Sequence, residues 1–153
     1  MTVMHFKILV NLLLLVCLVT GCGPQLPEIV QARGSVSIDD NPLPNAVVKF
    51  IPLSEGLDGN HVSTATTDED GIFSLSLRTG PGVYSGEHKV IVLDPEAPEA
   101  ARAMTGDAAG EWTKFKDSLV NRPIPKQYQS VALTPLTFTI GAGQEDLEIE
   151  LQR

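Results

Sequence analysis

At 153 residues the chain has room for one domain. Its formal net charge of -8, with a pI near 4.7, excludes the phosphate backbone of a nucleic acid as a natural partner and argues against a polybasic membrane-surface helix. Eleven prolines and thirteen glycines are spread along the chain as turn punctuation, which favours many short strands over long helices.

The first 21 residues read as an export signal. Lys7, with His5 as a weak second charge, precedes an apolar run from Ile8 to Val19 that only Asn11 interrupts. A run of about a dozen residues fits a signal core; a helix across a bilayer takes about 20. Leu18-Val19-Thr20-Gly21-Cys22 resembles the bacterial lipobox: a branched apolar residue, small residues, Gly, then Cys. The resemblance implies cleavage between Gly21 and Cys22, a diacylglycerol thioether on the Cys22 thiol, and a further palmitate-type acyl chain on the new amine. Two or more chains hold a protein stably, since each buried CH₂ contributes about 0.8 kcal/mol. Gly23, where an Asp retains some lipoproteins in the inner membrane, points to the outer membrane. Cys17 leaves with the signal, so the mature chain of 132 residues keeps one cysteine and no internal disulfide. Its side-chain charge is about -9, because the signal holds Lys7 and no acid.

Residues 22–32, with two prolines and no periodicity, read as a tether between lipid and domain. From residue 33 the pattern becomes that of strands. Val36 and Ile38 alternate with serines, and Asp39-Asp40-Asn41-Pro42 is a turn cluster. Ala46 to Pro52 is a second strand and Val62 to Thr67 a third. Asp68-Glu69-Asp70-Gly71 is a tight turn, after which Phe73, Leu75 and Leu77 alternate with serines. Glu87 to Leu93 follows, and then residues 94–123 break the rhythm with an Ala-, Pro- and Glu-rich connection. There Trp112, Phe115 and Leu119 fall at helical spacing, predicting a short helix from near Asp107, weakened by Gly110. Leu136 to Ile140 and Leu147 to Leu151 complete seven predicted strands around a Gly-Ala-Gly turn at 141–143. That count predicts an all-β antiparallel sandwich over 33–153, with 94–123 as an irregular insertion.

Several of these runs resemble carboxypeptidase regulatory-like domains. Gly34-Ser-Val-Ser, then Pro42-Leu-Pro-Asn-Ala-Val-Val-Lys-Phe50, resembles their opening pattern. Thr66-Thr-Asp-Glu-Asp-Gly-Ile-Phe73 resembles their hairpin, and Gly86-Glu-His-Lys-Val-Ile-Val92 a later strand, with His88 where an aromatic usually sits. Ile124-Pro-Lys-Gln-Tyr128 and Thr134-Pro-Leu-Thr137 resemble the tail of small planctomycete-type lipoproteins carrying this domain. The resemblance implies a transthyretin-like Greek-key β-sandwich of seven strands and no catalysis. It leaves the 94–123 insertion unexplained.

Candidate chemistry is sparse. Asp68, Glu69 and Asp70 lack the spaced oxygens and closing Glu of a calcium loop, so a solvated turn is expected. Glu148 and Glu150 alternate with Ile149 and Leu151, as the wet face of a last strand does. His61 and His88 belong to no zinc motif, and no G-x-S-x-G elbow or phosphate loop occurs. No catalytic residue, metal site or cofactor is therefore expected. Trp112, the sole tryptophan, is a candidate contact for a protein or glycan, although packing of Trp112, Phe115 and Leu119 onto the sandwich is the favoured reading. The expected function is that of a lipid-anchored envelope module that binds or spaces, held at a membrane through Cys22. The alternative is an accessory subunit of a carbohydrate- or peptide-processing envelope system.

Overall fold

Burial alternates along the chain where the sequence alternates. Gly34, Val36 and Ile38 point inward while Arg33 is exposed and Ser35 and Ser37 are half-buried, the period-2 signature of a strand with one dry face. The computed structural model describes residues 26–102, 107–141 and 146–153. Its strands are β1 (Ile29–Val30), β2 (Arg33–Ile38), β3 (Asn41–Pro42), β4 (Val47–Pro52), β5 (Ser63–Thr66) and β6 (Ile72–Ser74). They continue as β7 (Ser76–Leu77), β8 (Gly80–Pro81), β9 (Val83–Tyr84), β10 (Gly86–Leu93), β11 (Thr137–Ile140) and β12 (Asp146–Leu151). Two α-helices, α1 (Glu99–Arg102) and α2 (Ala108–Asp117), lie between β10 and β11. The described residues thus form a mostly-β fold.

The strands make two main sheets. One is antiparallel throughout, in the order β11-β10-β4-β5-β7-β8. The other places β2 between β12 on one side and β3 and β6 on the other. Here β12 runs parallel to β2, from Asp146 beside Arg33 to Leu151 beside Ile38. The inward residues of both sheets share one core. Val36, Ile38, Leu147, Ile149 and Leu151 belong to one sheet; Val48, Phe50, Val90, Val92 and Ile140 belong to the other. Phe50 and Phe73 meet across it with ring centroids 6.3 Å apart. This arrangement is consistent with a β-sandwich. Gly34 is dictated by close approach, since a Cβ there would strike the Leu147 carbonyl oxygen and the Phe73 ring.

Two expectations are corrected. The run from Ile72 to Leu77 is not one strand: β6 pairs with β2, and after Leu75 the chain crosses to the other sheet, where β7 pairs with β5 and β8. Phe73, Leu75 and Leu77 stay buried throughout, so the alternation records a face and not a hydrogen-bonding partner. This crossing and several two-residue pairings raise the described strands to twelve, against seven expected. Residues 22–32 are also not tether throughout. β1 pairs antiparallel with β9, the Ser85 amide donates to the Glu28 carbonyl at 2.7 Å, and Ala32 is buried. Gly82, with φ +122°, lets β1 lie close, because a Cβ there would come within 2.7 Å of the Ile29 side chain.

The pairings define two ends of the molecule, about 20 Å apart along β2 and β10. The tether pole gathers β1, β9, the start of β10, Leu53 (whose amide donates to the Glu87 carbonyl) and Ile140 beside Gly86. The insertion pole gathers Asp39, Asn45, Leu93 beside Val47, and Leu151 beside Ile38. Residues 94–123 leave from this second end.

Candidate functional site

Gly21 and Cys22 lie outside the described residues. Trp112 lies on α2, which forms where the 112/115 spacing predicts a helix. Asp107 caps it by accepting from the Gly110 amide at 3.3 Å. Glu111 in the first turn and Lys114 and Lys116 in the last suit the helix dipole, and Lys114 Nζ bonds Glu111 at 2.8 Å. Helical spacing also brings Trp112 against Phe115, with ring centroids 5.7 Å apart. The helix ends at Asp117, before Leu119.

Of the three residues expected to pack, Phe115 and Leu119 are half-buried and Trp112 is exposed. α2 contains no buried residue, Trp112 is 45 % exposed, and the shared core takes no residue from 94–123. α2 packs instead against α1, whose Ala101 is buried. A three-residue apolar spacing marks a face, and here Phe115 on that face is half-buried and lines a cleft together with Asn45 of the sandwich.

Polar groups hold the insertion to the sandwich. Arg122, whose side chain is 12 % exposed, pairs with Asp94 and so ties the two ends of the segment together. The same guanidinium donates to the carbonyls of Val120 (2.7 Å), Pro44 (3.0 Å) and Asn45 (3.2 Å). Asn45 Nδ2 donates to the Ser118 carbonyl at 3.2 Å and Asn121 Nδ2 to the Pro42 carbonyl at 2.7 Å. Arg153 donates to the Asn121 carbonyl at 3.0 Å and pairs with Asp39 at 2.8 Å. Sequence reading missed Arg122; the one available signal was an Asp and an Arg bracketing the aperiodic stretch. Between α2 and the loop before β4 runs an open cleft of about 340 Å³, lined by Asn45, Glu96, Glu111, Lys114 and Phe115 among others. An aromatic edge beside carboxylates, an amide and an ammonium suits a polar ligand with hydroxyl or amide groups.

The other candidate side chains have local structural roles. Asp68 Oδ1 accepts from the amides of Asp70 (3.0 Å) and Ile72 (2.8 Å), and Gly71 adopts φ +76° within the turn. Glu148 and Glu150 lie on the exposed face of β12. His61 Nδ1 sits 2.8 Å from the Asp58 carboxylate, and its ring meets Tyr84 edge-on at 5.4 Å. Asp58 caps the short turn Gly59–His61, and the Asn60 amide that it accepts holds its carboxyl below the usual carboxylate range. His88 is buried against Phe50, with ring centroids 5.9 Å apart. Its Nδ1 donates to the Gly86 carbonyl at 3.0 Å, and its Nε2 has no partner. Burial outweighs that hydrogen bond and holds the imidazole below its ordinary pKa. Among the described residues, no three His, Cys, Asp or Glu side chains are grouped to hold a metal ion. No helix among them is long and apolar enough to cross a membrane. Comparisons with protein-family models, curated proteins and solved structures find no match.

Proposed function

We propose that this chain is a lipid-anchored cell-envelope protein, attached through Cys22, that acts as a non-catalytic binding or structural module for a protein or glycan. The proposal includes a transthyretin-like, Greek-key sandwich of the carboxypeptidase regulatory-like type, in an outer membrane. The apolar run and Leu18–Cys22 pattern support the anchor. The resemblance on Gly34, Gly71, Phe50 and Phe73 supports the domain type; Phe50 and Phe73 lie in the core, Gly71 has φ +76°, and Gly34 approaches Leu147 too closely for a Cβ.

The observation that carries the binding role is the helical insertion. It contributes nothing to the shared core, yet an ordered set of hydrogen bonds holds it out with Trp112 exposed. Exposed indoles beside a polar cleft are frequent anchors of recognition. The accessory-subunit alternative draws on that cleft, but Glu111 and Lys114 already satisfy each other, which leaves few groups free to converge on a substrate.

The test uses two variants of the full chain in its own envelope. Cys22→Ser is expected to lose fatty-acyl labelling and move to the soluble fraction, while Trp112→Ala stays at the membrane but recovers less partner on cross-linking and capture. Unchanged membrane partitioning of Cys22→Ser overturns the anchor; unchanged recovery by Trp112→Ala overturns the insertion as the contact.

A further inference from the structure

We infer that the tether pole of the sandwich is a membrane-contact surface: Leu26, Ile29 and Leu53 rest on the bilayer and the helical insertion points away from it. The inference rests on acylation of Cys22 as proposed above.

The first support is chain length. Among the described residues the first strand begins at Ile29, where β1 pairs with β9, so six residues, 23–28, separate Cys22 from that pairing. Whatever path they take, seven Cα–Cα steps span at most about 25 Å. Had residues 22–32 all been tether, the reach would be about 35 Å, enough for the domain to turn over freely. The exit point is also fixed. The Glu28 carbonyl accepts from the Ser85 amide at 2.7 Å, and Gly82 admits β1 against its neighbour.

The second support is what surrounds that exit. Leu26, Ile29 and Leu53 are 55 %, 45 % and 48 % exposed. Ile29 is opposite Tyr84, and the Leu53 amide bonds Glu87 two residues past Ser85, so both belong to one rim, and Leu26 lies three residues before Ile29 on the chain that leaves it. Apolar side chains at the point where a lipid-bearing chain leaves the fold gain by entering the interface that the lipid already occupies.

Charge does not choose between the poles. Asp39, Asp40, Asp68, Glu69, Asp70 and Asp94 lie at the insertion pole, where Arg153 and Arg122 pair with Asp39 and Asp94. Glu28, Glu55, Glu87 and Asp146 lie at the tether pole, where Arg33 pairs with Asp146. The contact with lipid is therefore apolar and not electrostatic. Standing this way, the sandwich holds Trp112 beyond the far end of β2 and β10, where a partner in the aqueous layer can reach it.

The sole tryptophan provides the readout. The chain from Cys22 to Arg153 contains the whole described core, and Cys22 is its one cysteine. It is coupled through that thiol to a maleimide-headgroup lipid in phosphatidylcholine vesicles, with and without brominated acyl chains. Trp112 emission is expected to be unchanged by the bromines. In the double variant Trp112→Phe/Leu53→Trp the new indole is expected to lose most of its emission, and in Trp112→Phe/Leu133→Trp, placed on an exposed loop away from the rim, to lose little. Equal quenching at all three positions, or none at Leu53→Trp, overturns the inference. Because the lipid is attached chemically, either result is independent of whether Cys22 is acylated in the cell, which the Cys22→Ser variant tests separately.

Discussion

In the sandwich, Val36, Phe50, Val90 and Ile149 are sealed from water, whereas α2 has no fully buried residue and its segment is moored by Arg122, Asn45 and Asn121. Burial of apolar area is non-directional and holds a body together through many small contributions. Hydrogen bonds from two guanidiniums and two amides are directional and few, so they fix a position without adding a core. A segment attached in the second way can change its exposed residues freely while the sandwich remains intact. That is the physical licence for variation at a contact surface.

The largest effect expected is in the core. Phe73 is 2 % exposed and touches both sheets through Gly34 and Phe50, so Phe73→Ala is expected to cost about 3–5 kcal/mol in urea unfolding. The loss should appear in a single transition reported by strand circular dichroism. A loss under about 1 kcal/mol would mean that the two sheets do not share a core and would remove one side of the contrast.

Much of the sandwich was legible because period-2 alternation follows directly from which face is dry. The turn from Asp68 to Gly71 was legible from its own hydrogen-bonding chemistry, and the start of α2 from Asp107. The crossing at Leu75 left no trace, because Phe73, Leu75 and Leu77 keep the same face while their strand changes sheets. β1 and β9 were missed because two-residue pairings carry no period. The mooring was illegible for a different reason: Arg122, Asn45 and Asn121 bond backbone carbonyls, which have no identity in a sequence. The spacing of Trp112 and Phe115 announced a helix face but could not say whether anything covers it. The candidate site was therefore half legible, its exposed indole named and its attachment unseen.

A smaller effect, and a different kind, is expected at the mooring. Arg122→Ala removes the Asp94 pair and leaves the Pro44 and Asn45 carbonyls without this donor. The cost is expected to be about 1–3 kcal/mol, the lower part if water reaches those carbonyls. The decisive readout is local: amide hydrogen exchange within 95–121 should rise more than exchange in β4 and β10. Uniform acceleration across both regions would show that the insertion is part of the cooperative core after all.

The smallest change expected is a gain, and it inverts the contrast. The mooring of the polar insertion pairs its guanidiniums and amides, whereas among the described residues of the apolar sandwich one buried side-chain nitrogen has no partner, His88 Nε2. Burial holds His88 neutral in the fold by lowering its pKa. Above the unfolded imidazole value of about 6.5, both states are neutral and His88 has no pH effect. As pH falls below that value, the unfolded chain takes up a proton that the folded chain resists, so stability declines until pH passes the lower folded pKa, where it levels off. His88→Phe puts an aromatic ring against Phe50 in place of the imidazole. It removes the orphan nitrogen and gives up one hydrogen bond to Gly86. The expected net gain is about 1 kcal/mol at neutral pH. The gain should be larger at pH 5, because the substitution also removes the proton-linked loss. Urea unfolding of both chains at the two pH values reads this directly. If the difference between them does not grow on acidification, the imidazole is reached by water or by a proton acceptor in the fold, and the sandwich is wetter near Gly86 than its packing implies.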